Sequence, residues 1–254
     1  MMMIQSDVDD GSPIDLHGKL AAIELVFGLL VAGMYYVFSQ LGVMADFLWK
    51  LVLAIQVFVS VVLYFHYVMN RQSRRLWVEG VVSMLALVPW LMIALIWLFY
   101  ILYIPMPVVL KSSVVVICFG IIGRHAFMVL LDFRRAAKKE AVLSTIYHDD
   151  GKNLIFRNSR GGYIDQLTSR NPLKGSVLSV IGYLAPFAAA FGMTANHIFG
   201  DNVGPHVICV VLSIVSFPMS VFILGNFYVK SLFFRVYLPL ALEKKTGKKV
   251  ILGS

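Results

Sequence analysis

Charge is what this chain has least of. Only 14% of its 254 residues are charged, where an ordinary soluble domain has about 25%. Apolar residues make up 59% of the chain, and the mean hydropathy is +0.80. Polar surface on that scale could not cover a soluble core. A secreted enzyme, a nucleic-acid-binding domain and a disordered chain are excluded together. Cysteine is nearly absent as well. Cys118 and Cys209 both fall inside apolar runs and read as small buried hydrophobes, not as a disulfide or a metal pair.

Catalytic signatures are also missing. The chain has no HExxH, GxSxG, Walker or GxGxxG motif and no Cys/His metal spacing. No catalytic residues, no metal and no cofactor are expected. The N-terminal stretch MMMIQSDVDDGSPIDLHGK carries four aspartates and no basic n-region, so no cleavable signal peptide is expected.

What remains is long apolar runs. A hydrocarbon core of about 30 Å takes roughly 20 residues per helix. Six runs qualify: Leu20 to Leu41, Leu51 to Met69, Gly80 to Ile104, Ser112 to Leu131, Ser176 to Asn196 and Val207 to Tyr228. The expected fold is an all-α integral membrane protein of about six transmembrane helices. With the N-terminus inside, 19 of the 22 Lys and Arg lie on the cytoplasmic side, leaving Lys50 and Lys111 outside and Arg124 within a span. That asymmetry predicts both termini in the cytoplasm, in a prokaryotic inner (plasma) membrane.

The expected organisation follows. Residues 1–19 are a cytoplasmic tail, 20–131 hold spans one to four, 132–175 form a cytoplasmic loop, 176–228 hold spans five and six, and 229–254 are a basic tail. The loop opens with DFRRAAKKEAVL, read as a helix continuing out of the fourth span. Asp150-Gly151 then stands between short β-favouring runs as a two-residue hairpin turn. A loop this short cannot be an independent domain. His148, Asp149 and Asp150 lack a fourth metal ligand and read as a solvated turn. The tail VKSLFFRVYLPLALEKKTGKKV suits either a helix in the inner interface with its lysines on anionic headgroups, or a plain juxtamembrane tail.

Ionisable residues inside spans are costly and mark candidate sites. Glu24, His66, Arg124 and His125 all fall in the inner half of the bilayer. A polar cavity, a structural Glu24–Arg124 ion pair and simple reach to the headgroups are the competing readings. His66 and His125 also raise a b-haem. The other pair, His197 and His206, flanks one short loop, which weakens that reading. Pro89, Pro186 and Pro218 interrupt three spans, each removing a backbone hydrogen bond. Small residues at Gly28 with Ala32, Ala185 with Ala189 and Ala188 with Gly192 favour close helix packing.

Arg134, Arg135, Lys138 and Lys139 in the loop, with Lys244, Lys245, Lys248 and Lys249 in the tail, are candidates for lipid contact or docking. The expected partners are anionic lipid and other membrane proteins or further copies of this chain. Nucleic acid is not expected, because no basic and aromatic interleaving is present. The leading expectation is a non-catalytic subunit of a larger transport or secretion assembly, of the conjugation type for example. The alternative is a self-sufficient transporter or channel for small solutes or ions.

Overall fold

A computed structural model describes residues 13–70, 73–157, 161–173, 194 and 203–253. The expected fifth span lies outside them apart from Thr194, and so do Pro186, His197 and the small residues of GYLAPFAAAFG. Five segments are long and apolar enough to cross a membrane: Lys19–Gln40, Phe47–Asn70, Leu76–Ala94, Val108–Ala137 and Val203–Thr246. The chain is a helical, multi-pass membrane protein.

Helices α1 (Pro13–Gln40) and α2 (Phe47–Asn70) form an antiparallel hairpin. The third apolar run is not one helix but three: α3 (Leu76–Leu85), α4 (Val88–Ala94) and α5 (Ile96–Tyr103). Next come α6 (Val108–Ala137), α7 (Glu140–Ile146), β1 (Tyr147–Asp149), β2 (Asn153–Phe156) and α8 (Gly161–Gln166). A rod of 44 residues then runs from Val203 to Thr246. It comprises α9 (Val203–Phe222), π-helical turns over Ile223–Tyr228 and Ser231–Tyr237, and α10 (Leu238–Thr246), before β3 (Lys249–Leu252). The broken third run is central. It packs on α1 and α2 at one side and on α9 at the other, while α6 flanks α5 and the rod.

Breaking a helix inside a bilayer frees backbone groups that no water can satisfy. Here hydroxyls from neighbouring helices bond backbone groups at and beside the breaks. Pro89 has no N–H, and the chain breaks one turn before it, at Ala86 and Leu87. Tyr228 Oη donates to the Met84 carbonyl at 2.9 Å. The second break, at Leu95, has no proline. Ser220 Oγ donates to the Ala94 carbonyl, and Trp97 donates its backbone N–H to Ser216 Oγ at 3.2 Å and its indole N–H to Ser220 Oγ at 2.8 Å. Tyr35 Oη, from α1, donates to the Met92 carbonyl at 2.7 Å. Ser216 and Ser220 are four residues apart on α9, so both face the break.

A small sheet accompanies the α-helical bundle. A three-stranded sheet of order β1-β2-β3 caps one end of the bundle, with β1 antiparallel and β3 parallel to β2. The turn between β1 and β2 lies one residue on from the expected Asp150-Gly151. Asp150 N–H donates to the Asn153 carbonyl at 3.0 Å, so Gly151 and Lys152 form the two-residue loop. Gly151 has φ +84°, as the first position of a type II′ turn requires.

The tail, for which an interfacial helix or a plain juxtamembrane segment was expected, is built into the bundle. It continues the rod, stops at Gly247 (φ +70°) in a left-handed cap, and enters the sheet as β3. Leu252 N–H donates to the Arg74 carbonyl at 3.1 Å. Segments at 74–75, 147–156 and 249–252 thus meet over one apolar cluster that includes Leu76, Phe133, Ile146, Tyr147, Phe234 and Val250. Tyr147 Oη donates to the Phe234 carbonyl at 2.6 Å, and burial pushes its phenol well above the usual range. The 132–175 loop is too short for a core of its own and takes one from the tail and the helix ends.

The double role of Ser220 gives a stability test. Ser220→Ala leaves the Ala94 carbonyl and the Trp97 indole unpaired, and is expected to cost about 1–3 kcal/mol, read as a lower thermal midpoint in detergent. Ser113→Ala, at an exposed position where the hydroxyl bonds only its own helix at Val109, should leave the midpoint unchanged.

Candidate functional site

The four ionisable residues expected in the inner half of the bilayer do not form one cluster. Glu24 is on α1 and packs against α2, where Ser60 Oγ donates to its carboxylate. It is 2% exposed, so it does not reach for headgroups. His66 lies half-buried on α2, and its backbone carbonyl accepts from Asn70 Nδ2 at 3.0 Å. Arg124 is exposed on α6. The expected Glu24–Arg124 pair is not among the ion pairs of the described residues. The reason is packing: α1 lies on α2 and α4, whereas α6 lies on α5, α9 and the π turns. The same separation puts His66 and His125 on different sides of the third run, which does not suit a haem held between them.

The Glu24 side of the bundle has a polar row that ionisable residues alone do not reveal. Gln56 is fully buried on α2, one turn from Ser60. It lies over Gly28, where a Cβ would stand 2.7 Å from Gln56 Cβ and 2.9 Å from Cγ. Glycine at 28 therefore makes room for the glutamine stem. Glu24 Oε1 and both amide atoms of Gln56 are buried without a hydrogen-bond partner. A pocket of about 280 Å³ reaches Glu24 between Leu20, Phe27, Ala86, Pro89 and Trp90.

His125 belongs to a second polar group, at the sheet end. Asn226 Nδ2 donates to the Arg170 carbonyl at 2.6 Å, which leaves Oδ1 as the acceptor. His125 Nε2, 2.6 Å from that oxygen, must therefore carry the ring proton. Asp132 accepts from Arg170 Nε at 2.9 Å and from Thr168 Oγ1 at 3.1 Å. Lys230 Nζ pairs with Asp165 at 2.6 Å. These bonds tie α6, the 165–171 segment and the rod around a pocket of about 220 Å³. Every charged group named here has a partner of opposite sign, so the arrangement reads as a joint. Asn226 sits in the first π turn, a distortion that often re-aims a side chain. Pro218 lies inside α9, five residues before that turn.

Most of the basic candidates at the sheet end are free surface. Arg134, Arg135, Lys138, Lys139, Lys244, Lys245 and Lys249 are exposed. Lys248 is the exception, because its ammonium bridges both carboxylate oxygens of Asp149 at 2.7 and 2.6 Å. That bond and the Gly151 N–H hold the Asp149 carboxyl below the usual range. Asp149 is thereby tied to the tail, and no group of three metal-ligating residues occurs among the described residues. At the opposite end, the hydroxyl of Tyr100 lies 3.2 Å from His206 Nδ1.

The close approach of the rod to α6 can be tested. A Cβ at Gly225 would stand 2.5 Å from His125 Cδ2. Gly225→Ala is expected to lower the thermal midpoint, and adding His125→Ala should restore part of the loss. A double variant no better than Gly225→Ala alone would place the strain elsewhere.

No protein-family model, no curated protein and no solved structure matches this chain.

Proposed function

We propose that the chain is a non-catalytic, multi-pass subunit of a larger transport or secretion assembly in a plasma membrane. Its sheet end faces the cytoplasm and serves as a docking platform. The observation that carries this reading is the cap itself. Two segments distant in sequence, 147–156 and 249–252, are sewn into one sheet over a shared apolar core, Arg75 bridges to Ile251 beside it, and exposed arginines and lysines surround it. Of the far-end loops, Gly42 to Lys50 and Pro105 to Lys111 contribute only Lys50 and Lys111. That bias supports a cytoplasmic sheet end and cytoplasmic termini. A cap held in place by strand pairing presents its charges at fixed positions, which suits an acidic protein surface better than a loose tail would.

Gentle detergent extraction at native expression is expected to recover partner proteins in fixed stoichiometry. The combined reversal Arg134→Glu, Arg135→Glu, Lys138→Glu and Lys139→Glu should release them without unfolding the protein. A lone, homogeneous protomer would overturn the reading.

The buried Glu24 and the broken third run favour a second reading, a self-sufficient ion or solute transporter. Discontinuous helices near a buried charge are a recurrent feature of transporter sites. On that reading, Glu24→Gln abolishes flux in reconstituted liposomes while the protein remains folded. Absence of flux by the wild-type protein under any imposed gradient would end it.

A further inference from the structure

We propose that Glu24, Gln56 and Ser60 form a binding site for a monovalent alkali cation of about sodium size. The proposal builds on the second reading above, but it concerns binding and needs no transport. A carboxylate that is 2% exposed, within an apolar span, requires compensation of its charge. Arg124 does not supply it, being exposed on α6. Lys19, the nearest basic residue on α1, is exposed as well.

A proton would neutralise Glu24 without needing further ligands. A cation instead recruits the neighbouring oxygens, and Gln56 lies over Gly28, one helical turn along α1 from Glu24. Glu24 Oε1 and Gln56 Oε1 are both buried without a hydrogen-bond partner. Ser60 against Glu24 and Gln56 over Gly28 set these groups in one row between α1 and α2. Buried, unsatisfied oxygens in a native fold call for an occupant of this kind.

The donor set is all oxygen: two carboxylate atoms, an amide and a hydroxyl. Hard cations take such ligands. One carboxylate balances one positive charge, whereas a divalent ion would leave a net charge in a low-dielectric site. Ala86 and Pro89, at the first break in the third run, line the same 280 Å³ pocket as Glu24, which gives the ion a way in.

The test is thermal unfolding of the purified full chain in detergent, at constant ionic strength, in choline, lithium, sodium or potassium chloride. Sodium should raise the midpoint saturably over choline, by roughly 5 °C for a millimolar site at hundred-fold excess. Glu24→Gln should abolish the response. Should that variant fail to fold, Gln56→Leu and Ser60→Ala keep the carboxylate and should each weaken the apparent sodium affinity tenfold or more. An equal midpoint in all four salts, or a sodium response unchanged in Gln56→Leu and Ser60→Ala, overturns the proposal. A midpoint that answers to pH alone assigns a proton to Glu24 and overturns it too. Flux measurements are judged separately, since a protein that binds sodium and carries nothing would satisfy this proposal and fail the transporter reading.

Discussion

A backbone hydrogen bond lost inside a bilayer has no water to replace it, and the arrangement of this bundle depends on that constraint. The third apolar run breaks twice. Each break is met by hydroxyls from other helices: Tyr228, Ser216 and Ser220 from the rod, and Tyr35 from α1. Helices in lipid gain nothing from hiding apolar surface from one another. Directional bonds therefore set which helices are neighbours. Trp97 concentrates the effect, bonding two serines of α9 while its ring packs edge-on to Phe217 and tilted against Phe119.

The sheet end, expected outside the hydrocarbon, follows a different rule. There the hydrophobic effect is available, and it gathers Phe133, Ile146, Tyr147, Phe234 and Val250 under a mixed sheet. The parallel pairing of β3 with β2 makes the last residues of the chain part of the same unit as the loop after α6. A tail that would otherwise be a loose basic segment becomes an edge of a platform. Its lysines divide accordingly, with Lys248 committed to Asp149 and Lys244, Lys245 and Lys249 left on the surface.

Two polar groups within or near the spans differ in how complete they are. Around His125, each donor and acceptor named has a partner, and the bonds tie three segments together. Around Glu24 the accounting is open, with one carboxylate oxygen and an entire amide unused. Satisfied networks hold structure, whereas unsatisfied buried groups need a second explanation. On that ground Glu24 is the functional candidate and His125 is part of the scaffold.

Much of this was legible in the residues alone, and for a local reason. Apolar run length marked the membrane class and the segments that carry it, since hydrocarbon thickness is a fixed ruler. The Gly151 hairpin was readable to within one residue, because turn chemistry is local. The break at Pro89 was readable because proline lacks a donor. The break at Leu95 was not, since nothing in LMIALIWLF marks it and only Ser216 and Ser220, over 100 residues later, allow it. Nor could the sequence separate Glu24 from Arg124 and join it to Gln56 and Ser60. Depth along a span can be counted, but which helix lies beside which depends on bonds between distant residues. Gln56 and Asn226 escaped a search for charge because they carry none, and their importance comes from burial, which only the tertiary structure decides.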